Sequence, residues 1–270
     1  MIRKTVWAGP RNFYPDNPEF LKKTIQELID PNQKKEDCLA VLMPHAGYIY
    51  SGNVAGKTIS AVNIPDTIIV LAPNHTGLGL PYSLLSKGSW QTPFGDLSIQ
   101  EELAGLILEN SAYFRYEKAP HIKEHAIEVE IPFLQFFNKN ISIVPIIISD
   151  FILSNYKKAG QEIANAIKKF GKPVLIVISS DLTHYETQEN AKEKDAQVIE
   201  AIKELDEDKL YKRVNANNIS MCGCAPACVG IYAAKKLGAT QADLIDYKTS
   251  GDVTGDFSSV VGYAGLIIKQ

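Results

Sequence analysis

The chain has five histidines, His45, His75, His121, His125 and His184, and three of them follow directly on short apolar runs. AVLM at 40–43 leads into Pro44–His45–Ala46–Gly47. TIIVLA at 67–72 leads into Pro73–Asn74–His75–Thr76–Gly77, and PVLIVI at 173–178 into Ser179–Ser180–Asp181–Leu182–Thr183–His184. Neutral imidazoles are good ligands for iron, zinc and copper, and an imidazole with an aspartate nearby moves protons near neutral pH. Taken singly, a histidine after a strand is more often a hydrogen-bonded loop residue. Three at equivalent positions argue for a shared site. Asp181 and His184 are three apart, so a tight loop or helical turn brings them to one side. An N-cap aspartate beside a surface histidine suits those two residues equally well.

The segment SMCGCAPAC (220–228) is the other chemical cluster, and its cysteine spacing matches no common zinc ribbon or finger. Cys224 and Cys228 read as small buried residues at the start of a helix. Cys222 stands before Gly223 at a loop-to-helix junction, where a helix N-terminus favours the thiolate that binds metal. In PHIKEHAIEVEIPFL (120–134), His125 opens an amphipathic helix beside Glu124, either as a capping residue or as a group that orients a substrate.

The elements that must position these residues alternate. Apolar, β-branched runs at 40–43, 67–72, 141–148, 173–178 and 259–268 suit strands covered on both faces. Helical patterns lie between them at 18–29, 98–109, 125–137, 154–170, 187–205 and 224–237. Ser98 with Glu101 reads as a capping box for the second, and Pro132 marks a start or kink in the third. If the strands are parallel neighbours, the histidine loops converge beyond their carboxyl ends, where open α/β sheets bind ligands. No Pro/Gly/Ser linker divides the chain, so residues 1–270 read as one α/β domain. The loop 247–257 (YKTSGDVTGDF) reads as turn-rich, and Gly47 and Gly52 as points where backbone approaches the site.

Composition narrows the function classes. A formal net charge of −3 over 270 residues offers no field for nucleic acid or an anionic membrane. No apolar run approaches the roughly 20 residues of a membrane span, and no signal peptide is evident. Three of the four cysteines crowd into seven residues, which suits reduced thiols. The expected location is the cytoplasm.

Six motifs in chain order then carry a resemblance. PHAGYIYSG (44–52), PNHTG (73–77), EHAIEVEIPFLQ (124–135), SSDLTHY (179–185), MCGCAP (221–226) and YKTSGDVTGDFSSVVGYAG (247–265) together resemble the Memo family, and NFYPDNPEFL near the N-terminus also matches. The resemblance implies an α/β/α sandwich around a central mixed, largely parallel sheet. It also implies kinship with the class III extradiol dioxygenases, which use non-haem Fe(II). The implied metal ligands are His45, His75 and Cys222. Asp181 and His184 match the acid/base motif, His125 the family's E-H-[SA] histidine and Tyr50 the aromatic of its HAGYxY loop. Phe13 stands where some relatives carry tryptophan.

Two departures follow. A thiolate replaces the dioxygenases' carboxylate, which shifts preference toward softer metals such as Cu(I) and Zn. Cys224 occupies a position often basic in relatives. The resemblance further implies a small-molecule or peptide ligand, and AMMECR1-like and radical SAM proteins as partners. The leading expectation is a mononuclear non-haem Fe(II) redox enzyme. The alternatives are a scaffold that binds peptides in the old cleft, and a zinc hydrolase with His184 as base.

Overall fold

The computed structural model describes residues 2–9 and 12–270. In chain order the first half comprises β1 (Ile2–Arg3), α1 (Pro18–Leu28), β2 (Ala40–Met43), α2 (Tyr48–Ser60), β3 (Thr67–Pro73), β4 (Tyr82–Leu84), β5 (Ser89–Thr92), β6 (Gly95–Ser98), α3 (Glu101–Leu108), β7 (Arg115–Tyr116), α4 (His125–Glu128) and α5 (Ile131–Phe137). The second half comprises β8 (Ser142–Ile148), α6 (Leu153–Phe170), β9 (Leu175–Ser179), β10 (His184–Glu186), α7 (Gln188–Lys203), α8 (Glu207–Ala216), α9 (Cys224–Lys236), β11 (Gln241–Thr249), α10 (Gly251–Thr254) and β12 (Val260–Lys269).

The main sheet runs β10-β12-β2-β9-β3-β8-β4-β7, with β11 pairing along β12, and β1-β5-β6 form a small second sheet. Its centre, β2-β9-β3-β8, is wholly parallel; β12 and β4 join antiparallel on either side. The continuous apolar runs are explained by burial on both faces. Ala40 and Leu42 of β2 enter one core, with α3, α6, α7 and α9, while Val41 and Met43 enter the other, with α1, α2 and α5. The same alternation holds in β3 and β9, as the two-residue period of a strand requires. The result is helices on both faces of a mixed sheet.

β9 follows β2 and β3 in sequence but lies between them in space. Met43 pairs with Ser179 and Leu71 with Ile178, so the carboxyl ends of the three strands lie side by side. The histidine loops therefore leave the sheet on the same edge.

Several local expectations shift. Ser98 pairs with Ser89 as the last residue of β6, so α3 begins at Glu101 without the capping box. The predicted helix 125–137 is two short helices, with Pro132 in the first turn of α5, where its missing N–H costs nothing. PHAGYIYSG is less a loop than a helix start. Tyr48 opens α2 and is buried, its hydroxyl donating to Val129 O, while Gly52 faces Leu28 of α1 rather than the crevice. Tyr247–Thr249 finish β11, and α10 takes up part of the predicted turn-rich loop. Among the described residues no helix is long and apolar enough to cross a membrane.

Candidate metal centre

β2 and β3 are two strand spacings apart, about 10 Å, and their loops close that gap over the tip of β9. The His45 and His75 ring centroids are 5.2 Å apart. His125, the first residue of α4, completes the group at 5.2 Å from His45 and 4.4 Å from His75. One ring nitrogen from each of the three lies within 4.8 Å of the others, a spacing that could hold a metal ion. Cys222 joins from the loop before α9, its Sγ 3.3 Å from His45 Nε2. Gly223 makes this approach possible: a Cβ there would collide with the Ser180 side chain, and its N–H instead donates to Ser180 Oγ at 3.0 Å.

The partners of the ring nitrogens decide which atoms face inward. Glu124 is fully buried and accepts at Oε1 from His75 Nδ1 (2.8 Å) and Ala126 N (3.0 Å), and at Oε2 from His75 N (2.6 Å). His125 Nδ1 lies 3.3 Å from the same Oε1. Burial alone would raise the Glu124 carboxyl, but the His75 hydrogen bond and charge and the Ala126 N–H outweigh it and hold the group ionised. A carboxylate that takes Nδ1–H leaves Nε2 as the bare, ligating nitrogen.

His45 is oriented from the other side. Ser179 Oγ lies 2.7 Å from His45 Nδ1, 2.8 Å from Ala126 O and 3.1 Å from Glu130 Oε1. A hydroxyl has one hydrogen and two lone pairs. Its hydrogen is directed toward Ala126 O and Glu130 Oε1, which accept, so a lone pair is left for His45 and the His45 proton sits on Nδ1. Burial, then the charge of Asp181, pushes the Glu130 carboxyl well above the usual range, against the pull of the Ser179 hydroxyl. Burial, then neighbouring imidazoles, lowers His45, and burial and His75 bring His125 down to about 4. Both rings are neutral at pH 7, the ligating form. Burial, then Asp181, raises the Cys222 thiol, so a thiolate there needs a cation to stabilise it.

Asp181 does not orient His184. Its Oδ1 accepts from His45 N at 2.8 Å and its own N–H points at Cys222 Sγ, 3.3 Å away. Burial raises its carboxyl to about 6, against the pull of the His45 N–H. The His184 ring is half-exposed, its Nδ1 2.8 Å from Ser220 O, and stands close enough for its charge to act on His45 and Asp181. Tyr50 is partly exposed in the first turn of α2, with its ring against Gly47. Phe13 packs on His125 at 4.7 Å, and Trp7 backs both, 5.3 Å from Phe13 and 5.9 Å from His125.

The roles of Trp7, Ser179, Glu128 and Glu130 carry no expectation from the sequence, and Glu124, expected only beside His125, also holds His75. The acids carried a usable signal: three carboxylates in the apolar segment EHAIEVEIP must each find a partner or a proton once buried.

A family model described as "Memo-like protein" matches residues 3–267. Among curated relatives, a "MEMO1 family protein" of Aquifex aeolicus is 41% identical over 269 residues, covering 98% of each chain. One from Methanobrevibacter smithii is 37% identical over 284 residues, covering both chains completely. An uncharacterized protein from Escherichia coli K12, solved by crystallography, superposes with a TM-score of 0.51 at 12% identity. That match covers 84% of this chain and 98% of the other, and it speaks for the fold alone. The chain belongs to the Memo family.

Proposed function

We propose that this member of the Memo family holds one redox-active metal ion, Fe(II) in the first instance, and uses it for oxidation–reduction on a small molecule. The ligands in this reading are His45, His75 and Cys222, with His125 as a third imidazole on the same face. The observation that carries it is the convergence of three imidazoles within 4.8 Å, beside a sulfur 3.3 Å from one of them. Their backing fits a metal, since Glu124 and Ser179 occupy the Nδ1 side of His75 and His45 and leave Nε2 to ligate. A thiolate in the set also suits Cu(I) and Zn.

When bound, the ion would supply electron transfer and a site for a small ligand. The chain's residues do the rest. Trp7 and Phe13 close the side next to His125 and keep water from it. His184, whose Nδ1 is taken by Ser220 O, presents Nε2 as the acid/base nearest solvent. Asp181 fixes the His45 backbone and, at a pKa of about 6, sets the charge beside Cys222.

Protein purified without oxygen, analysed for metal beside His45→Ala and Cys222→Ser, tests the reading. One equivalent of metal in the wild type and little in His45→Ala is expected. Cobalt substitution should add a sulfur-to-metal charge-transfer band that Cys222→Ser removes. Equal metal in wild type and His45→Ala would end the metal assignment.

A further inference from the structure

A cavity of about 410 Å³ opens on the flank of the centre formed by His75 and Cys222. Its far wall is built from Asp150, Phe151, Tyr156 and Tyr211, and among the described residues no lysine or arginine lines it. Tyr156 and Tyr211 stand edge to face, 6.1 Å between ring centroids. Their hydroxyls are spent on the backbone, donating to Asp150 O (2.6 Å) and Phe151 O (3.0 Å), so what remains for a ligand is ring surface, chiefly that of half-buried Tyr211 with the buried Tyr156 behind it.

Asp150 accepts at Oδ2 from Tyr82 OH and Asn155 Nδ2, both at 2.8 Å, and at Oδ1 from Phe151 N (2.7 Å) and Ile152 N (3.2 Å). Four neutral donors hold the carboxylate in place without cancelling its charge, and no cationic side chain pairs with it among the described residues. Its field is felt next door: after burial, Asp150 is among the groups that raise the Tyr82 and Tyr156 hydroxyls. A carboxylate beside aromatic faces attracts a cation by charge and through the ring quadrupoles, and repels an anion. Pockets of this size take a small organic molecule.

We propose that this cavity binds a small amine carried on an apolar or aromatic body, and that it excludes carboxylates and phosphates. The proposal rests on the metal reading only for what the bound molecule would face; the charge selectivity belongs to the cavity itself.

Three probes with one ring and different charge test it: benzylamine, benzyl alcohol and benzoate, titrated by NMR into the full chain, both chelator-stripped and metal-loaded. Benzylamine should bind about tenfold more tightly than benzyl alcohol, and benzoate should not bind at the same concentrations. Tyr211→Ala should weaken the two binding probes, and Asp150→Asn should erase the amine's advantage while leaving benzyl alcohol unchanged. Should Asp150→Asn fail to fold, added salt provides the second measurement, lowering benzylamine affinity and sparing benzyl alcohol. Benzoate binding as well as benzylamine, or no probe binding at millimolar concentration, overturns the proposal. Selectivity in stripped protein that takes up no metal would sink the metal reading and leave this one standing.

Discussion

Two buried polar clusters share the segment 124–130 and use their atoms in opposite ways. At the foot of the N-terminal segment, Arg3 pairs with Glu128 and also donates to His121 O (3.1 Å) and Glu124 O (3.0 Å). Glu128 accepts in addition from Trp7 N (2.7 Å), Val6 N (3.1 Å) and Tyr14 OH (2.8 Å). Every charged atom there is consumed within the protein. At the strand tips the same kinds of group satisfy only their outer sides, and the inner ring nitrogens of His75 and His125 make no hydrogen bond among the described residues. At Arg3 and Glu128 the opposite charges cancel within the protein, which marks a clamp. At the strand tips the convergent imidazoles of His75 and His125 leave their inner nitrogens without a partner among the described residues, which suits a place that meets something else.

The comparison can be broken at either end. The largest effect belongs to the clamp: Glu128→Leu strands the fully buried Arg3 charge and should cost about 3–5 kcal/mol of unfolding free energy, read from urea denaturation. A loss under 1 kcal/mol would mean the pair is not the anchor. At the strand tips, Glu124→Gln should leave the fold standing and weaken cobalt or zinc binding about 10- to 100-fold, read by competition with a chelating dye. Unchanged affinity would remove Glu124 from the centre.

His121 sharpens the contrast through pH. Its ring is fully buried, neither nitrogen finds a partner among the described residues, and burial brings it down to about 3. The unfolded chain binds this proton near pH 6.5 and the folded chain does not, so stability rises with pH across that window. The protein should hold full stability above about pH 6.5 and lose it progressively as pH falls toward 3. His121→Phe should flatten part of that slope while changing little at pH 7; parallel curves would refute the assignment. The smallest effect is expected at Glu130. Glu130→Gln keeps an acceptor for Ser179, so stability and metal content should barely move. The infrared band of a neutral carboxylic acid should nevertheless vanish, and finding only carboxylate absorption in the wild type would contradict the upward push of burial on Glu130.

Much of this was legible in the residues. The five apolar runs are strands because burial on both faces leaves no room for polar alternation, and β2 begins and ends where AVLM does. His45 and His75 announced themselves as the first histidines past those strands. Other features needed coordinates. Pro132 left a start and a kink equally open within 125–137, and only packing shows that it begins a second short helix and that His125, at the head of the first, meets His75. The Asp181–His184 pairing looked natural at three residues, yet the aspartate's partner is the His45 backbone, 136 positions away, which no local spacing reveals. Ser179 was hidden by its ordinariness, since a serine at a strand end is common and its role depends on three neighbours from other segments.

The order of strands in the sheet also dictates when this centre can exist. His45 and His75 leave the ribosome early, but the strand that must wedge between theirs is residues 175–179 and the sulfur follows at 222. A growing chain therefore displays the imidazoles before it has made the strand that sets their spacing or the sulfur that joins them. In the metal reading, the complete set of donors is assembled only once that strand has docked between its two neighbours, a long-range pairing of the kind that forms late in folding.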